Sequence, residues 1–227
     1  MAARGVASTT DVLLVAAFPP ELAALQPVLG SEMAGRIGGV TVAARALGIG
    51  LVAAASGAAL AMAEVRPRAV LLLGSCGAYD GAPLAIGDVV VSRRVRLVDS
   101  SVLSGTAQFP DLMQTTIEAE GHLSGALENA GARAANIAAT LAITVDDAAA
   151  RFVAQASGSD VEHLEAFAVA SASVAAHVAF SAVLGVANRV GASARGEWRA
   201  NHHRAAQRAV ECALRWLRDG ARGMPNG

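Results

Sequence analysis

The side chains of this 227-residue chain that could do chemistry gather in a few places. Glu162 and Glu165 stand three apart in the run Val161-Glu162-His163-Leu164-Glu165-Ala166-Phe167-Ala168-Val169-Ala170, Asn188 closes an apolar stretch, and Glu21 follows Pro19-Pro20. A carboxylate can offset positive charge or move a proton, whereas an amide donates and accepts without titrating. Other combinations carry less. His202-His203 are adjacent, so they do not share a helix face and make no metal pair, and no metal site is expected. Cys76 has no histidine near it in sequence, which favours a packed small residue over a nucleophile. Asp146-Asp147 closes a strand and reads either as pocket lining or as a solvated turn.

These residues must be held by elements around Gly74-Ser75-Cys76-Gly77-Ala78, which follows the apolar run Ala69-Val70-Leu71-Leu72-Leu73. Such a run ending in two glycines reads as a buried strand opening into a tight loop, and in an open α/β sheet ligands sit at such strand ends. Asp11 to Ala17 is expected as a first strand, with Glu21 starting a helix behind the prolines. Val40 to Leu47 alternates like an edge or hairpin strand, and residues 51 to 64 form an Ala-rich helix. Val89 to Val98, interrupted by Arg93, Arg94 and Arg96, suits a strand that leaves the sheet or lies at its rim. Residues 100 to 120 read as a loop. Helices are expected over Gly121 to Ala130, Glu165 to His177 and Asn201 to Arg218, and strands over Asn136 to Val145 and Phe180 to Ala187. The alternation predicts an α/β fold, a single-domain three-layer sandwich with a mixed, partly curled central sheet flanked by helices, over residues 11–220 behind a frayed tail at 1–10.

Composition narrows the function classes. Hydrophobic residues make up 54% and charged ones 16%, enough for one sizeable core and too apolar for a disordered chain. A formal charge of −1 gives no reason to expect nucleic acid or an anionic membrane surface. Ala46 to Ala63 and Ala166 to Asn188 are long uncharged runs, yet they are built from Ala, Gly, Ser and Val, so no membrane span is expected. Asp11 opens the first apolar run, which argues against a secretory signal. Two distant cysteines point to a reducing, cytoplasmic setting.

Three stretches together resemble the nucleoside phosphorylase and nucleosidase superfamily. Leu73 to Ala78 followed by Ile86-Gly87-Asp88-Val89-Val90-Val91 resembles its glycine-rich strand end and "GD-V-V" strand. Val161 to Ala170 is similar to its "VEMEGAAVA" element, and Val186-Ala187-Asn188-Arg189-Val190 with Arg195 and Trp198 resembles the corresponding segment of futalosine hydrolases. That resemblance implies hydrolysis of the N-glycosidic bond of a purine nucleoside, releasing hypoxanthine, with no cofactor, a small-molecule nucleoside as partner, and a homo-oligomer.

It also implies residue roles. Breaking that bond passes through a ribosyl cation, and Glu165 would hold the ribose hydroxyls and offset its charge; otherwise Glu165 is a helix-start charge, as Glu162 is read to be. Asn188 would donate to N7 and O6 of a 6-oxopurine, or else caps a turn. Ser75, Cys76, Gly77, His163, Leu164 and Ala187 would line the substrate. Hydrolytic relatives carry a water-activating Glu where this chain has Pro19. Glu21 takes that role only if the diproline shifts the loop; otherwise it is an ordinary first-turn helix charge. The arginine that phosphorylases place before the glycine-rich strand end is absent, which argues for water over phosphate as the co-substrate. A phosphorylase, an adenine-specific nucleosidase for methylthioadenosine or S-adenosylhomocysteine, and a catalytically weak nucleoside-binding protein stand as alternatives.

Overall fold

The structure is a computed structural model and describes residues 10–225; all but the last residue of the expected N-terminal tail lies outside them. The chain runs through β1 (Val12–Ala16), a 3₁₀ segment (Pro19–Leu25), α1 (Gln26–Leu29), β2 (Ala34–Ile37), β3 (Val40–Ala46), α2 (Leu51–Val65) and β4 (Ala69–Ala78). It continues through β5 (Val89–Val98), α3 (Ser100–Leu103), β6 (Thr116–Glu118), α4 (Gly121–Asn129) and β7 (Arg133–Thr140). The last elements are α5 (Asp147–Ser157), β8 (Val161–Glu162), α6 (Ala166–Ala176), β9 (Ala179–Arg189) and α7 (Ala194–Arg218).

The expected α/β fold with a mixed, curled sheet is what forms. Parallel pairs β1–β3, β1–β4, β4–β9, β5–β7 and β7–β8 combine with antiparallel pairs β2–β3, β4–β8, β5–β6 and β5–β9. Following β4 to β9, β5, β7, β8 and back to β4 gives a closed circuit, so part of the sheet curls onto itself. β5 therefore sits inside this ring rather than at a rim, and its arginines are accommodated by a register shift between Ser92 and Arg94.

Two apolar layers cover the sheet. One joins Leu72, Val90 and Leu184 to α2 and α6; the other joins Leu71, Val91 and Val183 to α4 and α7. Small residues permit close approach. A Cβ on Gly185 of β9 would lie 2.0 Å from the Ala205 carbonyl oxygen of α7, so that helix packs directly on strand backbone. Of the two long uncharged runs, the first divides between β3 and α2 and the second between α6 and β9, the latter at His177 in a left-handed conformation (φ 55°). Among the described residues no helix is long and apolar enough to cross a membrane.

Some boundaries differ from expectation. β7 stops at Thr140, so residues 141 to 146 form a loop, and residues 100 to 120 contain α3 and β6. α7 begins seven residues earlier than its amphipathic pattern suggested, at Ala194. That extension carries Arg195, Trp198 and Arg199 to the sheet's end.

Candidate active site

At the end of β4 lies a cavity of about 410 Å³, within the range of small-ligand sites. Of the residues expected to contact substrate, Glu21, Ser75, Cys76, Gly77, His163, Leu164, Glu165 and Asn188 all line it. Ala187 does not. It is buried, and its carbonyl accepts from Asn201 Nδ2 at 3.1 Å. The reason is a bulge: Cys76 pairs with Val186 and Gly77 with Asn188, so Ala187 is skipped in the register and Asn188 is brought beside Gly77.

Residues 74 to 78 are strand, not the tight loop their glycines suggested, and neither Gly74 nor Gly77 has a positive φ. Their value is room. A Cβ on Gly74 would lie 2.9 Å from Glu21 Oε1, and one on Gly77 would lie 2.8 Å from Asn188 Nδ2. The two missing side chains let a carboxylate and an amide approach the same strand end.

Of the two readings of Glu21, an ordinary first-turn helix charge or a group carried to the site by a shifted loop, the structure departs from the first. The diproline starts a 3₁₀ segment instead of an α-helix, and this points Glu21 inward at 4% exposure. Oε1 accepts from the Ser75 backbone N–H at 3.0 Å and from Ser75 Oγ at 3.1 Å. Oε2 is buried with no hydrogen-bond partner of acceptable geometry among the described residues. Burial raises the pKa to about 7; hydrogen bonding from Ser75 and, more weakly, from the Ala17 backbone N–H opposes the rise, and the Glu165 charge adds to it.

Glu165 occupies the residue before α6 and makes no cap bond to its own helix. Its Oε1 instead crosses to the Gly50 N–H at 2.7 Å, so the Gly48-Ile49-Gly50 loop anchors it. The Glu165 N–H donates to His163 Nδ1 at 3.1 Å. That nitrogen's lone pair is thereby used, and although it lies 3.4 Å from Glu165 Oε2 it cannot also donate to the carboxylate. Burial lowers the His163 pKa, in keeping with a neutral imidazole.

Glu162, expected to be a charge at a helix start, is 7% exposed and lies in β8. Oε2 accepts from Tyr79 Oη at 2.9 Å and Thr144 Oγ1 at 2.6 Å, and Oε1 accepts from the Thr144 N–H at 3.0 Å. It ties the loop of residues 141 to 146 to the strand end, and Ile143 of that loop lines the cavity.

Asn188 Nδ2 donates to the Arg189 carbonyl at 2.7 Å, which fixes the amide's orientation. One N–H and the carbonyl oxygen remain for a ligand. Cys76 is buried, and burial together with the Glu21 charge pushes its thiol pKa up, leaving a thiol with no nucleophilic role. His202 stacks on Trp198 with centroids 4.1 Å apart and planes 11° from parallel. No group of three or more potential metal ligands occurs among the described residues.

Sequence reasoning left Arg195 and Trp198 without a role and missed Arg199; all three line the cavity. Their signal lay in the helical spacing of 195, 198 and 199, ahead of the amphipathic pattern from which the last helix was read.

The family model described as the phosphorylase superfamily matches residues 12–219. Among solved structures, a 5′-methylthioadenosine/S-adenosylhomocysteine nucleosidase from Colwellia psychrerythraea in complex with adenine superposes with a TM-score of 0.85 at 19% identity, covering 97% of this chain and 99% of that one. The corresponding enzyme from Neisseria meningitidis, in complex with methylthio-immucillin-A, gives 0.81 at 20% identity, with coverage of 92% and 99%. An S-adenosylhomocysteine nucleosidase from Streptococcus pyogenes, in complex with 5-methylthiotubericidin, gives 0.82 at 19% identity, with coverage of 95% and 99%. At these identities the likeness establishes the fold.

Proposed function

This chain belongs to the phosphorylase superfamily, and from that premise we propose that it hydrolyses the N-glycosidic bond of a purine nucleoside. The observation that carries the reading is Glu21 Oε2, buried in the cavity wall with no hydrogen bond of full geometry, on a carboxylate whose pKa lies near 7 although the Ala17 backbone N–H also acts on it. A carboxylate so poised is a general base for water at neutral pH. Glu165, held by Gly50 with its other oxygen unengaged, offsets the charge of the ribosyl cation. Asn188 faces the departing base.

The base has two readings, each with its own support. Likeness to the solved methylthioadenosine and S-adenosylhomocysteine nucleosidases favours an adenine nucleoside with a 5′-thio substituent. The free edge of Asn188, one N–H beside one C=O, matches N7 and N6 of adenine in the ground state. As the bond breaks, the departing base takes a proton at N7 from solvent, balancing the one that Glu21 takes from the attacking water, and that N7–H must meet an acceptor. The same edge then matches a 6-oxopurine, with Oδ1 taking N7–H and Nδ2 donating to O6, whereas adenine's amino group would face a donor. Only interactions that strengthen in the transition state speed the step, so Asn188 favours release of hypoxanthine, as from futalosine or inosine.

Phosphorolysis is the rival chemistry. Neither the loop before Glu21 nor the stretch before Gly74 supplies a cation, but α7 brings Arg195 and Arg199 to the cavity, both without an ion pair among the described residues. A phosphate there would face Glu21 and Glu165, which favours water.

The experiment is chromatography of products from methylthioadenosine, inosine and futalosine, with and without phosphate. We expect free base and free sugar without phosphate, and loss of turnover by about 10²-fold or more in a folded Glu165→Ala variant. Strict phosphate dependence would replace hydrolysis with phosphorolysis, and wild-type turnover in Glu165→Ala would remove the assignment of the site.

A further inference from the structure

Ser75 Oγ lies in the middle of a chain of three polar groups. The Trp198 indole Nε1 approaches it at 3.2 Å, and it in turn lies 3.1 Å from Glu21 Oε1. An indole N–H can only donate, so the hydroxyl accepts from Trp198 and its own proton is directed to Glu21. The Ser75 backbone N–H reaches that same oxygen, so Oε1 takes two hydrogen bonds of full geometry while Oε2 takes none of that quality. The indole itself is set by its stack on His202 and by Phe18, whose ring centroid is 6.5 Å away.

We propose that Trp198 is a positioning residue for the reaction: its indole N–H orients the Ser75 hydroxyl, which fixes the Glu21 carboxylate with Oε2 toward the attacking water. The inference rests on the nucleosidase reading and deepens it. It separates a positioning role for Trp198 from simple docking of α7, because docking needs only the ring. Phosphate is also disfavoured by this arrangement, since the Ser75 hydroxyl is already engaged on both sides.

The consequence for proton affinity has a definite sign. Hydrogen bonding from Ser75 lowers the Glu21 pKa against the rise caused by burial. A hydroxyl that has lost its outer donor is free to rotate away, so the carboxyl should hold its proton to higher pH. Other charged or titratable groups share this surrounding: Glu165 acts directly on Glu21, and the Glu21 charge acts in turn on the Cys76 thiol. Glu162, His163, Arg195 and Arg199 stand on the cavity wall, and His202, stacked on Trp198, carries His203 against it. Replacing the indole with a phenyl ring changes the residue identity of none of them and keeps an aromatic ring against His202.

Trp198→Phe retains an aromatic ring for the stack and removes the N–H. The Glu21 carboxyl is followed by carbon-13 NMR of the full chain, with the resonance assigned by its loss in Glu21→Gln, and the pH dependence of kcat is measured in parallel. The Glu21 midpoint is expected to rise by about half a pH unit in Trp198→Phe and by about one unit in Ser75→Ala. The double variant should rise no further than Ser75→Ala alone, because Trp198 acts through Ser75. In kinetics, kcat should fall about two- to fivefold at pH 6.5 and recover by pH 9, with KM unchanged.

An unshifted midpoint in a folded Trp198→Phe, or additive shifts in the double variant, would overturn the proposal. Should Trp198→Phe fail to fold, the Ser75→Ala shift and the response of the Trp198 indole N–H resonance to Glu21 titration read the same link. The carboxyl titration needs no turnover. A wild-type protein that cleaves no purine nucleoside but shows the predicted shifts would lose the nucleosidase reading and keep the coupling.

Discussion

Two buried carboxylates flank the end of β4, and they are built differently. Glu21 and Glu162 are almost equally inaccessible, at 4% and 7% exposure. Glu162 has donors on both oxygens, from Tyr79 and from the backbone and side chain of Thr144. Glu21 has hydrogen bonds of full geometry on one oxygen only, supplemented by a weaker interaction with the Ala17 backbone N–H. A buried acceptor left without a partner costs about 1–3 kcal/mol, and more when charged, so a fold assembled for stability alone would complete both. Under the proposed function, the contrast fits Glu162 to holding the cavity's wall and Glu21 to acting within it. Burial alone would not have separated them.

Glu21→Gln should break the comparison most sharply. The amide cannot accept a proton, and removal of a general base lowers kcat by about 10²–10⁴-fold. Stability should move the other way. A carboxyl whose folded pKa lies above its unfolded value binds its proton more tightly in the native state. Its contribution is fully present below pH 4.5 and is lost as pH rises through about 7. The neutral amide escapes that loss. Denaturant unfolding should therefore find Glu21→Gln more stable than wild type by up to about 3 kcal/mol at pH 8, with the gap closing toward pH 4.5. A variant that is inactive but no more stable at pH 8 would mean that Glu21 is not strained in the native state, and the contrast with Glu162 would weaken.

A smaller effect is expected from crowding Glu21 without changing it. In Gly74→Ala the added methyl would lie 2.9 Å from Oε1 and 3.1 Å from both Oε2 and Cδ, so the carboxylate must shift. Displacement of a reacting group by a few tenths of an ångström to 1 Å costs up to about 10²-fold. Steady-state kinetics should show a fall in kcat of about ten- to a hundredfold with KM little changed. Undiminished kcat would show that Glu21 need not occupy its observed position.

How much of this contrast the sequence disclosed follows from the kind of interaction involved. Strand cores such as Leu71 to Leu73 and the amphipathic part of α7 were legible because their signals are local and periodic. Glu165 and Asn188 were legible through the order and spacing of their motifs. The orientation of Glu21 was not, because the choice between a 3₁₀ and an α-helical start behind Pro19-Pro20 depends on what lies across the gap. Gly74 and Gly77 were misread as turn-formers because a glycine required for a neighbour's approach looks in sequence like one required for its φ. The bulge that displaces Ala187 from the site and seats Asn188 beside Gly77 is a matter of register between β4 and β9, separated by about a hundred residues, and no local pattern encodes it. Glu162 was taken for a helix-start charge for the same reason: Tyr79 and Thr144 reach it only after the ring of strands closes.

The finest test concerns Glu162 itself, where the comparison predicts little change in chemistry. Glu162→Gln keeps the shape but turns one acceptor into a donor, so either Thr144 N–H or the Tyr79 and Thr144 hydroxyls face an NH₂ group. Hydroxyls can rotate to accept, which limits the loss to about 1–3 kcal/mol of stability. Thermal unfolding should register that loss at pH 7, while kcat stays within about threefold and the acid limb of the pH profile does not move, because no proton in the reaction passes through this residue. The loop carrying Ile143 should loosen, visible as faster amide exchange at Thr144. An acid limb displaced as far as in Ser75→Ala would mean that Glu162 and Glu21 titrate as one system, and the division of the two carboxylates into a holding group and an acting group would then fail.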